Sequence, residues 1–174
     1  MHTASRAHAK VISARGYSLR SVVSHSHSQN HNHPVTHQTQ TSPPAWQFNA
    51  MRDAYEPSGG LIQAPELVSR WQAQGISGTE LLAQWVEKRK VISFEWQSTV
   101  WLPVVQFNPT CMTLVQGFEE IQSELVAVYN DCDVARWFSL PNSWLAARSP
   151  ASALLITAPE VLIAARAERY VNAR

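Results

Sequence analysis

The sequence predicts a mainly α-helical protein with one β-hairpin, set behind a disordered N-terminal tail and ending in a small helical bundle. Three observations carry this prediction. All seven histidines lie in the first 37 positions, whereas all seven tryptophans, and every Asp and Glu, lie at or after Trp46. Two β-rich runs, 91–96 and 99–107, stand two residues apart. The last third is a series of short apolar stretches of helical period, stopped and restarted by proline, most plainly across Trp137-Phe138-Ser139-Leu140-Pro141-Asn142-Ser143-Trp144-Leu145.

Residues 1–45 carry Arg6, Lys10, Arg15 and Arg20 and no acid, so the net charge of +1 is a tail of +4 cancelled by a remainder of −3. A segment rich in Ser, His, Gln and Asn buries too little apolar surface to offset its ordering entropy. It is therefore expected to be disordered, ending at the breaker Ser42-Pro43-Pro44. Its Arg- and Ser-rich, acid-free composition is shared with organellar transit peptides, but it lacks the apolar stretch of a secretory signal. His25, His27, His31, His33 and His37 are spaced closely enough for imidazoles to converge on Zn²⁺ or Ni²⁺. With no Cys or carboxylate among them, the solvated polar tail is the favoured reading, and no metal or other cofactor is assigned. Cys111 and Cys132 form neither a metal motif nor a disulfide framework, which suits a reducing cytoplasm. No apolar run approaches the roughly 20 residues of a membrane span, so a soluble cytoplasmic protein is expected.

From Trp46 to Tyr55 the apolar spacing is helical, and Pro57-Ser58-Gly59-Gly60 ends it. A second helix opens at Ala64-Pro65, where proline suits the first turn and Glu66 the helix dipole, and sets Leu67, Val68 and Trp71 on one face. Gly75 breaks the chain. Ile76-Ser77-Gly78 then opens a third helix with Leu81, Leu82, Trp85 and Val86 on its buried side. Its other face and end present Thr79, Gln84, Lys88, Arg89 and Lys90. The two β-rich runs follow, joined at Gln97-Ser98 in a tight hairpin, and Pro103 places the second strand at an edge or ends its pairing early.

Two helices joined by a Gly-containing turn, the second ending in a basic cluster and running into a hairpin, resemble the winged helix-turn-helix of excisionase-like and MerR-like proteins. The matching residues are Pro65-Glu66-Leu67, Trp85-Val86-Glu87-Lys88-Arg89 and Trp101-Leu102-Pro103. The resemblance implies a domain over 46–109 whose second helix enters the major groove through Thr79, Gln84, Lys88, Arg89 and Lys90, with Gln97 and Ser98 at the tip of the wing. Helix plus hairpin is also a common packing unit, and Lys88-Arg89-Lys90 reads equally as a solvated helix C-terminus favoured by the dipole. The acidic balance, with Glu80, Glu87 and Glu95 nearby, argues for weak DNA contact unless the protein dimerises or uses its basic tail.

Residues 110–174 form the second expected unit. Phe118, Ile121, Leu125, Val126 and Val128 line one side of an amphipathic helix, with Glu119, Glu120 and Glu124 opposite. Asp133 is the expected N-cap of the helix through Trp137-Phe138, and Pro150 and Pro159 open two more. Trp137, Phe138, Trp144, Leu145, Leu154 and Leu155 are expected in the core.

An Asp before Trp137, then Pro141-Asn142, Leu145 and Pro150, followed by Leu154-Leu155 and a final helix with Val161, Ala164 and Ala165, resembles the C-terminal toxin-binding domain of the Xre/MbcA/ParS antitoxins. Leu102-Pro103-Val104-Val105-Gln106-Phe107-Asn108 is similar to the strand that precedes this domain in winged members, and the likeness spans about residues 50–172. It implies a cytoplasmic bacterial antitoxin that masks a RES-type, NAD-consuming toxin, dimerises and represses its own operon. Asn142, Arg148, Arg166, Arg169 and Arg174 are then the candidate partner contacts, with ordinary solubility the alternative role for the arginines. The chain departs from the family at Ala147, where members usually carry Gly; a positive φ there would cost about 1 kcal/mol.

No histidine falls within 46–174, and that region holds no phosphate loop, nucleophile elbow or metal-ligand cluster. The Glu119-Glu120 pair reads as a solvated helix face. A non-enzymatic protein is expected, acting either as an antitoxin and autorepressor, as a regulator without a toxin partner, or as a DNA-independent interaction module.

Overall fold

The computed structural model describes residues 42–109 and 113–173, and the histidine tract lies outside them. The described chain is mainly helical, with a small antiparallel sheet. Its elements run α1 (Ala45–Tyr55), β1 (Leu61–Gln63), α2 (Ala64–Ala73), α3 (Thr79–Glu87), β2 (Phe94–Trp96), β3 (Thr99–Pro103), α4 (Phe118–Val126), α5 (Asp131–Ser139), α6 (Pro150–Leu154) and α7 (Ala158–Asn172). Among the described residues, no helix is long and apolar enough to cross a membrane.

The sheet corrects the expectation of a lone hairpin. After α1, a 3-10 turn and two glycines at φ 101° and 79° swing the chain back into β1. The strand pairs with β3, Ile62 facing Leu102, so the sheet order is β1-β3-β2. At three residues, β1 is too short to show an alternating pattern. β3 is therefore the central strand, not an edge. Pro103 occupies its last pairing position, opposite Leu61, and the chain passes directly into a 3-10 turn over Val104–Gln106. Both hairpin strands are shorter than the apolar runs that announced them.

Two apolar clusters hold the described residues together, and they do not divide at residue 109. The smaller joins Ile62, Leu67, Val68, Trp71, Leu82, Val86, Leu102 and Phe107. The larger is built on α4–α7 and takes in Phe48, Met51 and Tyr55 from α1 with Ile92, Phe94 and Val105. Helix α1 thus turns its buried face to the C-terminal half. The Tyr55 hydroxyl donates to the Ala135 carbonyl at 2.7 Å, and Phe48 stacks on Trp96 with centroids 3.8 Å apart.

Gln106 lies at the seam. Its side chain is fully buried and replaces a strand partner for Ile92: its amide oxygen accepts from Ile92 N at 2.7 Å, and its amide nitrogen donates to the carbonyls of Ile92 and Pro103, both at 3.0 Å. Each of these backbone groups would otherwise be buried without a partner, at a cost of about 1–3 kcal/mol.

Three further expectations are corrected in the C-terminal half. The cap of α5 is Asn130, which accepts from Asp133 N at 2.9 Å, so the helix starts earlier than Asp133 implied. Trp144 and Leu155 are not core: they are 62% and 61% exposed. Trp144 sits in a one-turn 3-10 helix, Ser143–Leu145, where consecutive side chains diverge, and Leu145 takes the inward position. Leu155 follows α6, whose buried face is already completed by Ala151 and Leu154.

Candidate functional site

Two surfaces were marked by the sequence, and the structure treats them differently. The first is α3 and the hairpin. Helix α2 ends in a Schellman turn, Ile76 N bonding to Trp71 O at 2.9 Å and Gly75 N to Gln72 O at 3.0 Å, with Gly75 at φ 78°. The chain then re-enters at Gly78, whose missing side chain makes room for Trp71: a Cβ there would stand 1.9 Å from the indole. This close approach sets α2 against α3.

Helix α3 ends in the same way. Lys90 N bonds to Trp85 O at 2.8 Å and Arg89 N to Val86 O at 3.1 Å, which puts Arg89 at φ 52° in a place that favours glycine. What holds an arginine there is its side chain. Nε meets Asp131 Oδ1 at 2.5 Å, Nη1 donates to Val126 O at 3.1 Å and Nη2 to Tyr129 O at 2.7 Å. Val126 ends α4 and Asp131 begins α5, so the guanidinium caps one helix and pairs with the acid at the start of the next. Arg89 is only 21% exposed and braces the end of α3 against the α4–α5 corner. That placement corrects its assignment to a DNA groove.

The remaining candidates on this surface are more open. Lys88 and Gln84 are exposed, Thr79 is half-buried, and Lys90 pairs with Glu119 at 3.2 Å. Glu80 and Glu87 share the exposed side of α3 with Gln84 and Lys88, and so does Leu81, which corrects its expected place on the buried side. Gln97 and Ser98 are exposed at φ 50° and 58°, the pattern of a type I′ hairpin turn.

The second surface is the C-terminal face. Asn142 is buried and acts as a cap: its side chain accepts from Trp144 N at 2.9 Å and its carbonyl from Leu145 N and Ala147 N. It organises the turn and does not present itself to a partner, which corrects the sequence assignment. Ala146 and Ala147 both have positive φ, 53° and 62°, so the condition set at Ala147 is met, and met twice. Arg148 donates to Leu145 O and pairs with Glu160 at 2.6 Å. Arg174 lies outside the described residues.

Arg166 and Arg169, one turn apart on α7, converge on Glu124 of α4. Arg166 Nε stands 3.3 Å from one carboxylate oxygen and Arg169 Nη1 2.7 Å from the other. With Tyr170 and Ala173 they line an open cleft of about 400 Å³. The hydrogen bond from Arg169 holds the Glu124 carboxyl below the usual range, against its own desolvation, and Arg166 adds to the effect. Beside the cleft, the Tyr129 hydroxyl bonds to Glu168, and Asn172 bridges both. Burial, then Glu168, pushes Tyr129 up to about 12.

Sequence reasoning placed Glu124 on a solvated helix face, and nothing local shows that it receives two arginines more than 40 positions away. It also passed over Ile156, Ile163 and Tyr170, which are exposed and apolar on the same module. The helical spacing of Ile163 and Tyr170 with the arginines on α7 was the available signal, whereas Ile156 lies in the turn after α6. Burial, then the Asp133 charge, raises the Cys132 thiol to about 11, so it is not a thiolate at neutral pH.

Comparison of the chain with models of protein families, with curated proteins and with solved structures found no match.

Proposed function

We propose that the protein is a non-enzymatic, antitoxin-like adaptor that binds and masks a partner protein through residues 110–174. One observation carries this reading. Of nine exposed large apolar side chains among the described residues, seven lie in one stretch: Leu140, Trp144, Leu155, Ile156, Ile163, Tyr170 and Val171. Single exposed apolar residues are ordinary, whereas their concentration in this part of the chain supports the reading of an interaction surface there. Trp, Tyr and Arg are also the side chains that dominate the energetics of protein interfaces, and Arg148, Arg166 and Arg169 lie among them. The likeness of this segment to the Xre/MbcA/ParS module supports a toxin-like, RES-type partner, a cytoplasmic setting and a homodimer.

On this reading the first half is a winged helix-turn-helix that binds operator DNA only as a second task. Support comes from the order α2-turn-α3 followed by a hairpin with an exposed two-residue turn. Lys88, Lys90, Thr79, Gln84, Gln97 and Ser98 would make the contacts, with Arg89 as a brace. Glu80 and Glu87 on the same side weaken phosphate binding, so two copies are needed for useful affinity.

The test is co-expression with the product of the neighbouring gene. A one-to-one complex that removes that product's toxicity is the expected result. Substituting Trp144→Asp and Ile156→Asp should abolish the complex while leaving the urea midpoint unchanged, since both side chains are exposed. A neighbour whose toxicity persists, with the protein purifying alone, overturns the masking role. DNA retention that falls between 50 and 200 mM salt would then favour a regulator acting without a partner.

A further inference from the structure

We infer that the cleft between α4 and α7 takes an acidic segment of the partner, a single carboxylate flanked on both sides by large apolar side chains. This rests on the adaptor reading and gives it a chemistry. Two guanidiniums share one carboxylate, so the Arg166–Arg169–Glu124 group carries a surplus of one positive charge, while the nearby Glu168 carboxylate is held by Tyr129 and Asn172. The bonds to Glu124 use one N–H of the five that each guanidinium carries. Glu124 forms the floor at 18% exposure, while the Arg166 and Arg169 side chains stand 60% and 52% exposed at the rim. The forks are thus positioned from below and open above, which favours bidentate capture of a carboxylate.

The flanks are apolar. Ile163, Arg166 and Tyr170 follow an i, i+3, i+7 spacing and share one face of α7, and both apolar members are exposed. The stripe spans about 10 Å, the length of seven helical residues. A segment that fits it carries Asp or Glu at its centre and Leu, Phe or Trp on either side. A phosphate dianion fits less well, because the Glu124 carboxylate lies in the floor and the apolar flanks would gain nothing from it. A single carboxylate balances the surplus and leaves the flanks to bury apolar surface.

The full chain is tested against an immobilised random-peptide array, and the best soluble peptide is then titrated by fluorescence anisotropy. The expected hits carry Asp or Glu beside Leu, Phe or Trp. Arg166→Gln and Arg169→Gln should each weaken the peptide roughly tenfold, the usual value of a charge-assisted bond. Ile163→Asp, which leaves the bonds to Glu124 untouched, should weaken it comparably by like-charge repulsion and so covers the case in which the arginine variants unfold. Arg70→Gln, on α2, should change nothing, and Glu124→Gln should tighten binding if the fold is intact.

Hits without acidic enrichment, unchanged affinity in a folded Arg166→Gln/Arg169→Gln protein, or displacement of the peptide by millimolar inorganic phosphate overturns the inference. So does a concentration-dependent dimer that the double variant abolishes, which would make a second copy the occupant. If the neighbouring product still co-purifies with the double variant, the adaptor reading stands and the cleft assignment falls. If wild type retains acidic peptides but masks no partner, the adaptor reading falls and the cleft assignment remains.

Discussion

Replacing Arg89 separates its two possible roles. In Arg89→Ala, Asp131 loses its guanidinium, and the Val126 and Tyr129 carbonyls lose a donor in a part-buried corner. Breaking a buried ion pair costs about 3–5 kcal/mol. With the pair at 21% and 12% exposure, roughly 3 kcal/mol is the working value after discounting for solvent screening. Alanine keeps the strained φ of 52°, whereas Arg89→Gly relieves it, so glycine should be the milder change by about 1 kcal/mol. Arg89→Lys keeps the charge but loses the fork and should fall between wild type and alanine. Urea unfolding followed by tryptophan fluorescence reads all three, and for about 130 folded residues the alanine variant should melt roughly 10 °C lower. Two results would refute the brace: an Arg89→Ala protein within about 0.5 kcal/mol of wild type, the ordinary range of a surface change, or one that keeps its stability and loses only DNA retention. The second would return Arg89 to the groove.

Gly78→Ala should destabilise the protein by about 3 kcal/mol, at the upper end for overpacking, because the new methyl would stand 1.9 Å from a fully buried Trp71. A double-mutant cycle with Trp71→Leu should show that most of this cost vanishes once the indole is removed; an additive cycle would deny the contact. Ala147→Gly should do the opposite, raising stability by about 1 kcal/mol by releasing an alanine from φ 62°, provided the urea slope is unchanged. Glu124 is lowered in the folded state, so its contribution is present above its unfolded value of about 4.3 and is lost as pH falls through the folded value. Stability curves from pH 6 to 2.5 for wild type and Glu124→Gln should therefore converge at the acid end; parallel curves would mean that the two arginines do not hold the carboxylate.

Much of the framework was legible because it is written in local chemistry. Proline at the first turns of α2, α6 and α7, the paired run 94–103, and the stop at Pro141-Asn142 all act within a few residues of themselves. Gln106 appeared only as part of a strand-like motif, and nothing local shows that its side chain serves Ile92 and Pro103. Strand β1 was illegible because three residues carry no period. Trp144 and Leu155 were misplaced because apolar character says that a side chain can be buried, not that the packed face has room for it.

The helical class, the short turn between α2 and α3, the hairpin with its two-residue turn and the succession of short C-terminal helices were all legible in the sequence, since each depends on propensity, capping and periodicity over one or two turns. Where the charged and exposed groups lie, and what they touch, emerged only in three dimensions. Arg89 looks like its neighbours Lys88 and Lys90 in one dimension, yet in three it reaches the α4–α5 corner 37 to 42 residues on. Arg166 and Arg169 become a cleft only because α4 brings Glu124 beneath them. Such contacts depend on how helices pack, and packing is set by the sum of distant buried surfaces, which no short stretch of sequence contains.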